Sequence, residues 1–130
     1  NPRKGHAMPT WTDDELDRIG SSVELDLESE RADGTLRSPV TMWVVRAGDD
    51  VYVRSVKGRN GPWFRGAAAR RQGRISSGGV HKDVSFQDAD PGDWSGVDAA
   101  YRRKYGSYTG IVDHVLTEQS RQSTIRLVPR

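Results

Sequence analysis

Residues 40–65 read VTMWVVRAGDDVYVRSVKGRNGPWFR. They hold two apolar runs, a tight polar turn, a glycine-bearing loop and a helix start. Val40-Thr41-Met42-Trp43-Val44-Val45 is apolar on both faces, which predicts a central strand. Gly48-Asp49-Asp50 is a turn. Val51-Tyr52-Val53-Arg54-Ser55-Val56 is the next strand, and the short link makes the pair an antiparallel hairpin. Pro62 suits the first position of a short helix that runs on to Arg70 and is stopped by Gly73.

The flanking sequence repeats this rhythm. Thr12-Asp13-Asp14-Glu15 is a capping box, with Trp11 and Leu16 at the staple positions, and Gly20 can end that helix in a left-handed conformation. Val23 to Glu28 alternates with period two, which predicts a strand with Val23, Leu25 and Leu27 inward. Arg74 to Ser77 and Val80 to Phe86 form a hairpin around Gly78-Gly79. A helix is expected from Ser95 to Tyr105, with Val97, Ala100, Tyr101 and Tyr105 on one side. Residues 107–122 read as a strand or loop at Ile111 to Leu116, then a helical turn from Thr117. Thr124 to Val128 is a closing strand. About six short, mostly antiparallel strands without a βαβ rhythm predict a mainly β fold, a small barrel, with one capping helix and two others.

The chain has 130 residues, which is one domain's length. Asn1 to Ala7, ending Gly5-His6-Ala7 before Met8, resembles a cloning remnant, leaving 8–130 as the domain. There is no cysteine, which excludes disulfides, thiolate nucleophiles and zinc-finger or iron–sulfur sites. No apolar run spans a bilayer, so a cytoplasmic protein without membrane contact is expected. Two histidines remain outside the remnant, His81 and His114, with no metal-ligand spacing and no nucleophile elbow. No metal is expected.

Net charge is only +2, but its distribution is uneven. Residues 13–50 are rich in acids. From Tyr52 to Lys82 there is none, and Arg54, Lys57, Arg59, Arg65, Arg70, Arg71, Arg74 and Lys82 stand there. A one-signed segment is a footprint for an anion. Within it, Arg54, Ser55, Lys57 and Arg59 supply charge and hydroxyl, and Gly58 and Gly61 admit a close approach to backbone amides. The helix starting at Pro62 points its positive end at the same place. Trp43, Trp63 and Phe64 can line a ring pocket. A phosphate-bearing ring compound suits this constellation. No Walker motif accompanies it, so triphosphate hydrolysis is not indicated.

These residues also carry a family resemblance. Gly34 to Asp49 resembles the first hairpin of the flavin-binding split-barrel superfamily, and Val51 to Arg65 resembles its cofactor-phosphate segment. In the deazaflavin (factor-420)-dependent nitroreductase group a strand ending in serine, lysine and glycine likewise precedes a proline and paired aromatics. Tyr101 to Tyr105 and Thr124 to Pro129 resemble that group's final helix and strand. Arg65-Gly66 stand where that group has asparagine-leucine, and the helix from Thr12 is not its N-terminal segment. As a whole the chain is similar to a small bacterial family of unknown function within the superfamily, over about Arg31 to Arg130.

The resemblance implies a homodimer that binds FMN or the factor-420 deazaflavin and acts as an oxidoreductase on a small organic substrate. Arg54, Ser55, Lys57, Gly58 and Arg59 would hold the phosphate. Val40, Thr41 and Met42 would offer backbone groups to the ring, with Trp43 and Trp63 beside it. Tyr101, Tyr105 and Tyr108 would close the substrate pocket. Alanine at Arg54 or Lys57 would weaken cofactor binding and leave the fold intact. Two alternatives stand beside this reading: a non-catalytic binding protein using the same groove, and, third, a nucleic-acid binder using residues 52–82.

Overall fold

The computed structural model describes residues 10–108 and 110–130. The expected cloning remnant lies outside the described residues. The elements are α1 (Asp13–Ser21), β1 (Leu25–Ser29), β2 (Val40–Met42), β3 (Val45–Ala47), β4 (Asp50–Val53), α2 (Pro62–Arg70), β5 (Gln72–Ser77), β6 (Val80–Asp88), α3 (Trp94–Tyr105), α4 (Glu118–Arg121) and β7 (Ile125–Pro129). Short 3-10 turns cover Gly58–Asn60, Pro91–Asp93 and Val112–Val115.

All seven strands belong to one antiparallel sheet, ordered β2-β1-β5-β6-β7-β4-β3. The two edge strands, β2 and β3, are consecutive in the chain, separated only by Trp43 and Val44. A flat sheet of this order would set its edges roughly 29 Å apart at ~4.8 Å per strand. Three Cα steps reach at most about 11 Å. The sheet must therefore curl until its edges nearly meet, giving a barrel split at Trp43-Val44.

That split corrects the sequence reading. Val40 to Val45 is not one central strand but two edge strands, so the count is seven rather than six. The run is apolar on both faces because its residues serve different surroundings. Val44 enters the barrel core with Leu25, Leu27, Val51, Val53, Phe86 and Leu127. Val45 enters a second core with Tyr52, Val97, Ala100, Tyr101 and Tyr105, between the sheet and α3. Both valines are fully buried, each worth about 1.5–3 kcal/mol.

α1 begins as expected. Glu15 N donates to Thr12 Oγ1 at 3.1 Å, and Thr12 N donates to Glu15 Oε1 at 2.9 Å. Trp11 and Leu16 are both buried, and the indole Nε1 donates to Leu127 O. The helix runs past Gly20 and ends at Ser22 in extended conformation, so Gly20 is no left-handed cap. Val23, expected inward, precedes β1 and is 54% exposed. The β5–β6 hairpin turns at Gly78 and Gly79, φ 58° and 84°, as a primed two-residue turn requires. α2 is stopped by Arg71, at φ 58°, rather than by Gly73. Gly73 instead lies in β5, where a Cβ would overlap Glu28 O. α3 buries the four residues its spacing picked out. The stretch Ile111 to Leu116, expected as a strand or loop, holds the 3-10 turn Val112–Val115 and no strand, and α4 starts from Thr117, whose Oγ1 accepts from Ser120 N.

No helix among the described residues is long and apolar enough to cross a membrane.

Candidate functional site

A cavity of about 430 Å³ opens beside the split. β2 and Trp43 form one wall, residues 54–57 another, Gly61 to Trp63 a third, and the 3-10 turn at Ile111, His114 and Val115 the fourth. No acid lines it. Among the described residues β2 pairs on one side only, with β1, so its other edge presents backbone groups without a strand partner there.

The loop after β4 has a local cause. Arg54 and Ser55 leave the sheet because both are held from the opposite side. Ser55 N donates to Ser123 Oγ at 2.8 Å, and Ser55 O accepts from Ser120 Oγ at 2.9 Å. Gln119 Nε2 donates to Lys57 O at 2.7 Å. Gly58, at φ 68°, sits against Gln119 with no room for a side chain. At Gly61 a Cβ would overlap the Ser55 hydroxyl, so only glycine lets that hydroxyl reach the helix start. α2 then begins at Pro62 with no side-chain cap and no acid in its first turn. The amides of Trp63 and Phe64 are thus free of helical partners and carry the positive end of the dipole.

Arg54 differs from expectation. Its side chain is fully buried. Nη1 pairs with Asp98 Oδ1 at 2.5 Å and donates to Val115 O at 2.8 Å. Nε donates to Thr124 Oγ1 at 2.8 Å and Nη2 to Trp94 O at 3.2 Å. The guanidinium also lies over the Tyr101 ring at 5.5 Å. Four of its five N–H donors are thus taken within the protein, and Arg54 ties the cleft floor to α3 and the 3-10 turn. Asp98 is shared with Arg121, whose Nη2 lies 2.7 Å from Oδ2, and that contact holds the Arg121 guanidinium above its ordinary range.

Gly58 and Arg59 also turn away from the cleft. Arg59 donates to Gln122 O, reaches Asp88 at 3.5 Å and covers the Phe64 ring at 4.9 Å. Phe64 is a core residue. Ser55, Lys57, Thr41, Trp43 and Trp63 do line the cleft, although the Thr41 hydroxyl is committed to Asp26 Oδ1 at 2.6 Å.

The expected tyrosine pocket is not formed. Tyr101 and Tyr105 are buried in the second core, behind the Trp43 wall. Burial pushes the Tyr105 phenol up to about 12 and raises Tyr101 as well. Tyr108 is 45% exposed and tilts against Trp43 at 5.6 Å, outside the lining.

The one-signed segment is largely neutralised by acids drawn from elsewhere. Arg54 pairs with Asp98, Arg59 and Arg71 with Asp88, Arg70 with Glu30, Arg74 with Asp83 and Lys82 with Glu15. Of its eight cations only Lys57 and Arg65 lack a carboxylate partner among the described residues. Lys57 alone of these two faces the cleft.

Ile111 and Val115 escaped sequence reasoning, which noted His114 only as a lone histidine without a place in the site. They lie in the stretch whose pattern fits neither strand nor helix, and only an apolar rhythm at Ile111, Val112, Val115 and Leu116 marks it. Among the described residues no cluster can hold a metal ion.

Residues 15–127 match a family described as "uncharacterized protein conserved in bacteria" (DUF2255). The chain belongs to that family. No curated protein matches it. Among solved structures, this family member is similar to a conserved hypothetical protein from Mycobacterium tuberculosis, with TM-score 0.67 and 16% identity over 98% of this chain and 86% of that one. It is similar to a FAD-binding protein from Mesorhizobium loti, with TM-score 0.57 and 12% identity over 95% and 93%. It is also similar to a factor-420 reductase, with TM-score 0.51 and 17% identity over 88% and 90%. At these identities the likeness is one of fold, and it agrees with the split barrel described above.

Proposed function

We propose that this protein binds FMN or a factor-420-type deazaflavin in the cleft beside the split and acts as an oxidoreductase on a small organic substrate. The observation that carries this reading is the convergence, in an acid-free cleft, of Lys57, the Ser55 hydroxyl and the uncapped start of α2, with Trp43 and Trp63 beside them. Charge, hydroxyl and helix dipole together suit a phosphate. The free edge of β2 and the indoles suit a flat, polar-edged ring. The named cofactors of the two similar proteins support the same reading.

When bound, a reduced flavin or deazaflavin supplies the hydride chemistry. The chain's part is to anchor the phosphate at Lys57, align the ring along β2 and keep water away with Trp43, Val40 and Met42. The reading carries a homodimer as well, checked by sedimentation velocity.

Tryptophan quenching titrated with FMN, and separately with the deazaflavin, tests the proposal. Saturable quenching at micromolar concentration by either is the expected result. Absence of quenching by both would overturn it. Binding without turnover on a panel of quinones and nitroaromatics would leave a non-catalytic binding protein.

A further inference from the structure

Phosphate recognition by Lys57 leaves one ionisable side chain of the cleft unexplained. Of the three that line it, Arg54 is buried and spends four of its five N–H donors within the chain. His114 is the remaining one. It stands on the 3-10 turn, a different element from Lys57, and its side chain makes no hydrogen bond or ion pair with the described residues. Its neighbours Ile111, 56% exposed, and Val115, buried, make that wall apolar.

The position of His114 is built rather than incidental. Its own amide donates to Ile111 O at 3.0 Å, and Leu116 N donates to Asp113 O at 3.1 Å. The carbonyl of Val115, the next residue, is pinned by the buried Arg54 guanidinium at 2.8 Å. The turn thus fixes where His114 leaves the backbone, and the imidazole itself is exposed at the cleft wall. Around it stand indoles and aliphatic groups that favour a flat ring, and no acid that would repel an anion.

We propose that His114 determines specificity on the substrate side of the cleft, selecting flat ring compounds that bear an anionic oxygen, with aryl carboxylates as the class. This rests on the reading that Lys57 and the start of α2 take the cofactor phosphate, which leaves His114 to face the substrate. An imidazole N–H donating to a carboxylate makes a charge-assisted bond that a neutral amide of the same shape cannot match.

The test is calorimetric titration of the full chain, saturated with FMN, with 2-naphthoate and with 2-naphthamide. The wild type is expected to prefer the acid by about tenfold or more. His114→Gln and His114→Ala reduce that preference to about twofold or less and leave FMN affinity and the melting temperature unchanged. Equal binding of acid and amide by the wild type, or a preference that survives in both variants, would overturn the proposal. If FMN does not bind at all, the cofactor reading fails on that result alone. The same acid–amide comparison on the unloaded chain then decides the role of His114 by the same criteria.

Discussion

The indole of Trp43 lies parallel to the ring of Tyr105, 5° apart in plane, with centroids 4.0 Å apart. One residue lines the cleft and the other belongs to the core under α3. The Tyr105 hydroxyl goes further. It accepts from Val44 N at 3.1 Å and lies 2.6 Å from Val23 O and 3.0 Å from Val44 O. Thus α3 clamps the point where the chain crosses from one sheet edge to the other, and the same clamp sets one wall of the site.

Tyr105→Phe keeps the stacking and removes the hydroxyl. It leaves the amide of a fully buried valine without its acceptor. A cost of about 1–3 kcal/mol is expected, read as a lower urea midpoint with unchanged slope. Loss below ~0.5 kcal/mol would mean that water replaces the hydroxyl there.

Asp98→Asn keeps shape and removes the charge between Arg54 and Arg121. A buried guanidinium is left without its counter-charge, which typically costs about 3–5 kcal/mol. Chemical denaturation measures it. A near-neutral effect would contradict the assignment of Arg54 to the interior.

Lys57→Ala and Arg54→Ala are expected to separate. The first lowers FMN affinity by about tenfold, the usual scale of a charge-assisted contact, and leaves the melting curve in place. The second unfolds the protein at lower denaturant, because Asp98 Oδ1 loses its buried donor while only Oδ2 keeps Arg121. Equal loss of affinity with intact folds in both would return Arg54 to the phosphate.

Lys104 reports on the split by pH. Its Nζ donates to Val44 O at 2.7 Å and lies 5.2 Å from the Tyr105 ring centroid. Burial lowers its pKa to about 8 from an ordinary 10.5. In that window the unfolded chain holds a proton that the folded chain has released, so stability rises with pH from about 8 towards 10.5. The penalty is fully present below 8. Because the side chain is only half-buried, the gain is on the order of 1 kcal/mol. Lys104→Met is expected to flatten that rise relative to wild type in denaturant titrations at pH 7.5, 8.5 and 9.5. Parallel profiles in the two proteins would place the titration elsewhere.

Much of this molecule is local and was therefore legible. The capping box at Thr12 and Glu15, Pro62 at the start of α2, the Gly78-Gly79 hairpin and the buried stripe of α3 each depend on residues a few positions apart. So did the cleft's nearer contributors, Ser55, Lys57 and Trp63, which sit within one strand–loop–helix segment. What tertiary structure alone decided is long-range. Arg54 looked like a phosphate ligand because Asp98, Thr124 and Val115, its partners, lie 44 to 70 positions away. The basic run looked bare because the acids that answer it come from α1, β6, α3 and Glu30 just after β1. Val40 to Val45 looked central because it is apolar on both faces, yet only Val44 and Val45 are buried, each in a different core, while Val40 stays exposed on an edge strand. And His114 could be set in the cleft only by a turn that has no period of its own, held where it is by a charge pair the sequence does not announce.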